Sequence, residues 1–141
     1  MYSFKEINEI LPFRVPSILI DRVTELIPGE YAKGIKNYSL SEDYFEDHFR
    51  SDLQIVPIPI LTESIGQLGI FTYLSLPENQ KKSPLLLSIR SIEYYKDVYP
   101  SDQVVIEYHS KRSGSSRGYG IATGKVNGEL VVKGEYVYTW E

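Results

Sequence analysis

The sequence predicts an α+β domain in which one antiparallel sheet wraps around a single central helix. Three observations carry that prediction. From Pro59 onward, Ile60, Leu61, Ser64, Ile65, Leu68, Phe71, Tyr73 and Leu74 suit a helix that is apolar on nearly every face. Four β-type runs follow in close succession, "LLLSIRSIEYY", "QVVIEYHSKR", "RGYGIATGKV" and "ELVVKGEYVYTW". A helix of that kind has to be enclosed, and a meander of four such segments is long enough to curl around it. At 141 residues the chain is expected to form one domain, spanning 1–141, with a core of its own.

Each element has a local signal. "FKEINEIL" spaces Phe4, Ile7, Ile10 and Leu11 as a short helix that Pro12 closes. "SILIDRVTELIPGEYAKGIKNYSL" is β-rich on both sides of a Pro28-Gly29 turn, giving one or two strands. The polar stretch "SEDYFEDHFRSD" reads as loop with at most one helical turn. Pro59 is favoured at the first position of the apolar helix, and "LPENQKKSP" ends it. Pro100-Ser101-Asp102, Ser113-Gly114-Ser115 and Asn127-Gly128 separate the later strands, and Asn-Gly is the strongest hairpin signal in the chain.

Composition excludes several function classes. Apolar residues are 42% and charged residues 24%, the balance of a globular protein. The net charge of −4 argues against nucleic-acid binding. The absence of cysteine removes disulfides, thiol nucleophiles and cysteine metal ligands. Two histidines and scattered acids lack metal-ligand spacing, so no metal is expected. No segment is apolar enough for a membrane span and no secretory leader is visible, so a cytoplasmic location is the expectation.

Two residues stand out for chemistry. Glu63 falls about one turn into the apolar helix, flanked by Leu61 and Ile65. A desolvated carboxyl there would hold its proton toward neutrality, whereas one facing solvent or a lysine would be ordinary. Gln67 lies four residues on, along the same face, and is placed to orient it. His48, in the preceding polar stretch, is fifteen residues before Glu63 and titrates in the range of a general base. A histidine in a loop also fits a plain surface residue, and His109, alternating with Val105 and Glu107 on a strand, reads as structural.

The order of these features resembles the (3R)-3-hydroxyacyl-acyl-carrier-protein dehydratases, which have the hot-dog fold. The resemblance runs nearly end to end, through "ILPFRVPSILIDRVTELIPGEYAKGIKNYSLSEDYFEDHF", "VPIPILTESIGQ" and "YPSDQVVIEY". It places His48 on the family's catalytic histidine, Glu63 on its catalytic acid and Gln67 on the glutamine one turn beyond. Ile58 falls on the glycine whose backbone N–H holds the thioester carbonyl, and Phe49 on the residue after the histidine, at the substrate.

The implied reaction removes water from a 3-hydroxyacyl thioester carried by an acyl carrier protein and needs no cofactor. The resemblance also implies a dimer, as a homodimer or a heterodimer with another hot-dog subunit. Histidine and acid of one site would come from different chains, with a partly apolar tunnel between them. Arg50, Lys81, Lys82, Lys111, Arg112 and Arg117 are candidates for carrier docking. The chain departs from the pattern at Asp47, Arg50-Ser51 and Ile58, and its histidine-to-acid spacing is one residue longer than usual. These departures suggest a specialised dehydratase of a polyketide or polyene-type pathway. They also leave open a non-catalytic or partner-dependent subunit that binds acyl chains. A thioesterase on the same fold is a third reading, which the histidine-plus-glutamate pattern disfavours.

Overall fold

The computed structural model describes residues 1–12, 18–39 and 55–141. Along them run α1 (Phe4–Ile10), β1 (Arg22–Ile27), β2 (Tyr31–Asn37), α2 (Ile58–Leu74), β3 (Pro84–Tyr94), β4 (Gln103–Ser113), β5 (Arg117–Val126) and β6 (Glu129–Trp140). A turn of 3-10 helix, Pro77–Asn79, follows α2. The α+β expectation holds, with two strands before α2. The polar stretch 41–52, which was expected to be loop, lies outside the described residues.

Local chemistry sets the element boundaries. Ser3 and Glu6 form a capping box that starts α1. Helix α2 begins one residue earlier than expected, at Ile58, so Pro59 occupies its second position rather than its first, and a missing N–H is still harmless there. Gly29 has φ +77 and closes the turn that pairs Glu30 N with Ile27 O at 2.9 Å. Asn127 and Gly128, at φ 50 and 81, form the two-residue turn between β5 and β6.

The six strands form one antiparallel sheet in the order β1-β2-β4-β5-β6-β3. This corrects the expected meander of four: only β4, β5 and β6 follow one another, while β3 lies at the far edge beside β6. The segment after β3 runs past the start of α2, where Val98 is buried and its carbonyl accepts from Val56 N at 2.7 Å. That path carries the chain across to the far side of the sheet, where β4 pairs with β2.

Helix α2 supplies the centre of the core. Leu61 and every residue from Ser64 to Leu74 are buried, against Val104, Ile106, Tyr108, Ala122, Val132, Tyr136, Tyr138 and Trp140 of the sheet. Glycines in the helix allow large rings to approach it. A Cβ on Gly69 would lie 2.5 Å from Tyr138 Oη, and one on Gly66 2.8 Å from Tyr136 Cε2. Tyr136 and Tyr138 donate to the helix carbonyls of Thr62 (2.7 Å) and Gly66 (2.6 Å). Each ring is thereby packed and hydrogen-bonded at once. Among the described residues no helix is long and apolar enough to cross a membrane.

Candidate active site

Glu63, Gln67 and Ile70 stand at i, i+4 and i+7 on α2 and share one face of the helix. Gln67 is 1% exposed and is held at both ends of its amide. Its Oε1 accepts from the backbone N–H of Leu19 at 2.7 Å, and its Nε2 donates to Glu63 Oε1 at 3.3 Å. Ser64 Oγ donates to Leu19 O at 2.7 Å, so the peptide groups on both sides of Leu19 are tied to the helix. The acid is therefore oriented by a buried amide that is itself anchored to backbone.

Glu63 lies at the mouth of a cavity of about 180 Å³ between α2 and the β3 edge. Thr62, Glu63 and Gln67 form its polar end, and Ile70, Leu85, Leu86, Ile89, Tyr136 and Tyr138 its apolar walls. Thr62 Oγ1 bonds Ile58 O at 2.8 Å and also the Tyr94 hydroxyl, bracing the first turn of the helix against β3. The expectation of a carboxyl enclosed by apolar neighbours is corrected: Glu63 is exposed in the single chain. Its face of α2 looks toward β3, the last strand of the sheet, and no described strand lies beyond β3 to cover it.

Ile58 is the first residue of α2 and its side chain is 52% exposed, so it projects outward rather than into the core. Its amide belongs to the helix start, where N–H groups lack intrahelical acceptors. His48, Phe49 and Arg50 lie outside the described residues. His109 is on the outer face of β4, tilted against Tyr31 at 4.7 Å and 3.4 Å from Glu107 Oε2, consistent with a structural reading.

Sequence reasoning missed the two tyrosines of the cavity wall. The signal was present: Tyr136 and Tyr138 alternate on one face of β6, facing Gly66 and Gly69. Sequence reasoning also missed Arg90, which the fold brings to Lys111, Arg112 and Arg117. Arg90, Lys111, Arg112 and Arg117 line an open groove of about 540 Å³ with Tyr119, over whose ring Arg90 sits at 5.1 Å. Lys81 and Lys82 stand apart from it, beyond the 3-10 turn, where Lys82 Nζ donates to Asn79 Oδ1 at 3.3 Å.

Comparison with known proteins accords with this geometry. The FabA-like domain matches residues 11–141. A 3-hydroxyacyl-[acyl-carrier-protein] dehydratase FabZ of Roseiflexus sp. (strain RS-1) is 39% identical over 140 residues, 98% of this chain and 96% of that protein. The FabZ of Exiguobacterium sibiricum is 33% identical over 138 residues, 98% of each chain. Among solved structures, the dehydratase heterocomplex ApeI:P from Xenorhabdus doucetiae superposes with a TM-score of 0.79 at 13% identity, covering 96% of this chain and 90% of that one. A single α2 enclosed by an antiparallel sheet is thus the hot-dog architecture, and with near-complete likeness to the FabZ proteins the chain belongs to the FabA-like dehydratase family.

Proposed function

We propose that the protein is a 3-hydroxyacyl-[acyl-carrier-protein] dehydratase, a hydro-lyase that converts a 3-hydroxyacyl thioester to the trans-2-enoyl thioester. The observation that carries this reading is Glu63, oriented by Gln67 at the polar mouth of an apolar slot, in a chain 39% identical to a FabZ over nearly its whole length. His48 removes the C2 proton, and Glu63 gives a proton to the hydroxyl departing from C3. The N–H of Ile58, at the positive end of α2, donates to the thioester carbonyl oxygen and steadies the charge that develops on it. One base, one acid and one amide complete the elimination, with the 2,3 double bond formed as C–H and C–O break.

The site is assigned to a dimer. Strand β3 is an eleven-residue edge with Leu85, Leu87 and Ile89 exposed at 59%, 43% and 36%. A long apolar edge of this kind is a template for pairing with another chain. A second copy laid along it would also cover the open side of the slot and the mouth at Glu63. The groove of Arg90, Lys111, Arg112 and Arg117 suits the acidic surface of the carrier protein, and such docking weakens with added salt.

The test is mass spectrometry of carrier-bound 3-hydroxyacyl substrates, read as loss of water. His48→Ala and Glu63→Gln are each expected to lower turnover by roughly 10²–10⁴-fold. Survival of activity in both would remove these residues from the mechanism. A free carrier thiol without enoyl product would mark a thioesterase, and activity only beside a second hot-dog chain would mark a partner-dependent subunit. Leu87→Lys is expected to shift the dimer toward monomer in light scattering and to lower activity with it.

A further inference from the structure

The register of the sheet orders the slot from mouth to end. Strand β3 runs antiparallel to β6, pairing Tyr94 with Val132, Ile89 with Tyr136, Leu86 with Tyr138 and Pro84 with Trp140. On the helix side, Thr62 meets Tyr94 and Tyr136, while Tyr138 reaches Gly66 and packs on Gly69. The slot therefore opens at Thr62 and Glu63, passes Gly66, Ile89 and Tyr136, and reaches Ile70, Leu86 and Tyr138. Immediately behind them Tyr73 and Trp140 stack at 4.6 Å, each 1% exposed. That pair is solid core, with Tyr73 Oη held by Tyr108 Oη and Ser110 Oγ at 2.8 Å each.

We infer that Ile70 is the chain-length stop of the acyl slot. This rests on the proposed dehydratase reading, which puts the reacting carbons at Glu63. Seven helical residues separate Glu63 from Ile70, about 10 Å at 1.5 Å of rise each. An extended chain advances about 1.2 Å per bond, as polypeptide does at ~3.5 Å per three-bond residue, so this length takes on the order of eight carbons. The volume agrees: 180 Å³ holds about six groups the size of a water molecule at roughly 30 Å³ each. Counted beyond C3, which lies at Glu63, an octanoyl chain places five carbons and fits, whereas a dodecanoyl chain places nine, more than the roughly six to eight the slot takes. The Tyr73–Trp140 stack leaves no deeper space for them.

The test compares kcat/KM for 3-hydroxybutanoyl, 3-hydroxyoctanoyl, 3-hydroxydodecanoyl and 3-hydroxyhexadecanoyl carriers. The wild-type protein is expected to fall sharply between octanoyl and dodecanoyl. Ile70→Phe shortens the slot, lowering octanoyl relative to butanoyl by about tenfold, and Ile70→Ala raises dodecanoyl relative to octanoyl by a similar factor. Leu86→Phe, on the facing wall, repeats the shortening should Ile70→Phe fold poorly. Calorimetric titration of the matching 3-hydroxyacyl pantetheines into the Glu63→Gln protein reads the same cut-off without turnover. A cut-off in binding with no turnover in the wild type would overturn the dehydratase reading and keep the stop. Length profiles that move in parallel in all variants, or equal binding of every length, would overturn the stop alone.

Discussion

Replacing Gln67 by Met removes both ends of its amide while nearly preserving volume, and its consequences divide into two measurable parts. The first is stability. Leu19 N–H, now bonded to Gln67 Oε1 at 2.7 Å, belongs to a residue only 6% exposed and would be left without that acceptor. An unsatisfied buried donor costs about 1–3 kcal/mol, which for a chain of this size lowers Tm by roughly 3–10 °C. The second part is orientation. Without the 3.3 Å bond from Gln67 Nε2, Glu63 is free to leave the mouth of the slot. A neutral hydrogen bond is worth about 0.5–1.5 kcal/mol, and at 1.36 kcal/mol per factor of ten this is a loss of about 2- to 13-fold in kcat. Ser64→Ala separates the two, because it loses the 2.7 Å bond to Leu19 O without touching Glu63. It is expected to lower stability and leave kcat near wild type. Urea unfolding and steady-state dehydration are the assays. A Gln67→Met protein that unfolds at the wild-type midpoint with unchanged kcat would refute the reasoning.

Other predictions concern the packed rings and their hydroxyls. Gly69→Ala, although favourable for an isolated helix, places a Cβ 2.5 Å from Tyr138 Oη and 2.8 Å from Tyr108 Cε1. It should destabilise by roughly 1–3 kcal/mol in urea, against the gain of about 1 kcal/mol that helix propensity alone would give. Tyr138→Phe removes a 2.6 Å bond to Gly66 O and should lower stability by about 1 kcal/mol with little change in near-ultraviolet packing signals. Burial raises the phenols of Tyr108, Tyr136 and Tyr138 well above their ordinary value. Burial, with Glu107 and Glu25 nearby, pushes Tyr31 up to about 12. Raised folded values mean stability is complete below pH ~10 and is lost as pH climbs past it, at roughly 1.4 kcal/mol per pH unit for each buried phenol. A urea midpoint that stays flat from pH ~10 to ~11.5 would contradict this, and Tyr108→Phe should flatten the slope.

The local parts of the fold were legible because each rests on residues adjacent in sequence. Asn127-Gly128 admits few backbone solutions besides a two-residue hairpin, and that turn sets the register from Val126 and Glu129 onward. Pro57 and Pro59 bracket the start of α2, and the apolar spacing from Ile60 to Leu74 fixes its extent. Strand order is a different kind of property. Periodicity in β3 states that it is extended, but nothing in "LLLSIRSIEYY" says that its neighbour is β6 rather than β4. The Glu63–Gln67 pair was visible as an i, i+4 spacing. Leu19, forty-eight residues from Gln67, was not, because that contact depends on where the chain returns. The exposure of Glu63 follows from the same unread fact: a residue facing the sheet is covered or open according to which strand stands at its edge.

That edge connects the fold to the chemistry. Elimination from a thioester needs a water-poor site, since preorganised dipoles act far more strongly where solvent is excluded. In one chain the walls of Tyr136, Tyr138 and Ile70 are buried, yet the acid at the mouth meets solvent and Ile58 projects outward near it. The apolar residues that would seal the opening, Leu85, Leu87 and Ile89, stand exposed on the same strand. A single added chain along β3 would satisfy the unpaired backbone of the edge, bury those side chains and close the slot over Glu63 together. Activity and dimerisation should therefore fail at the same protein concentration on dilution. If turnover per chain stayed constant well below the concentration at which the protein becomes monomeric, one chain would suffice and the closure argument would fall.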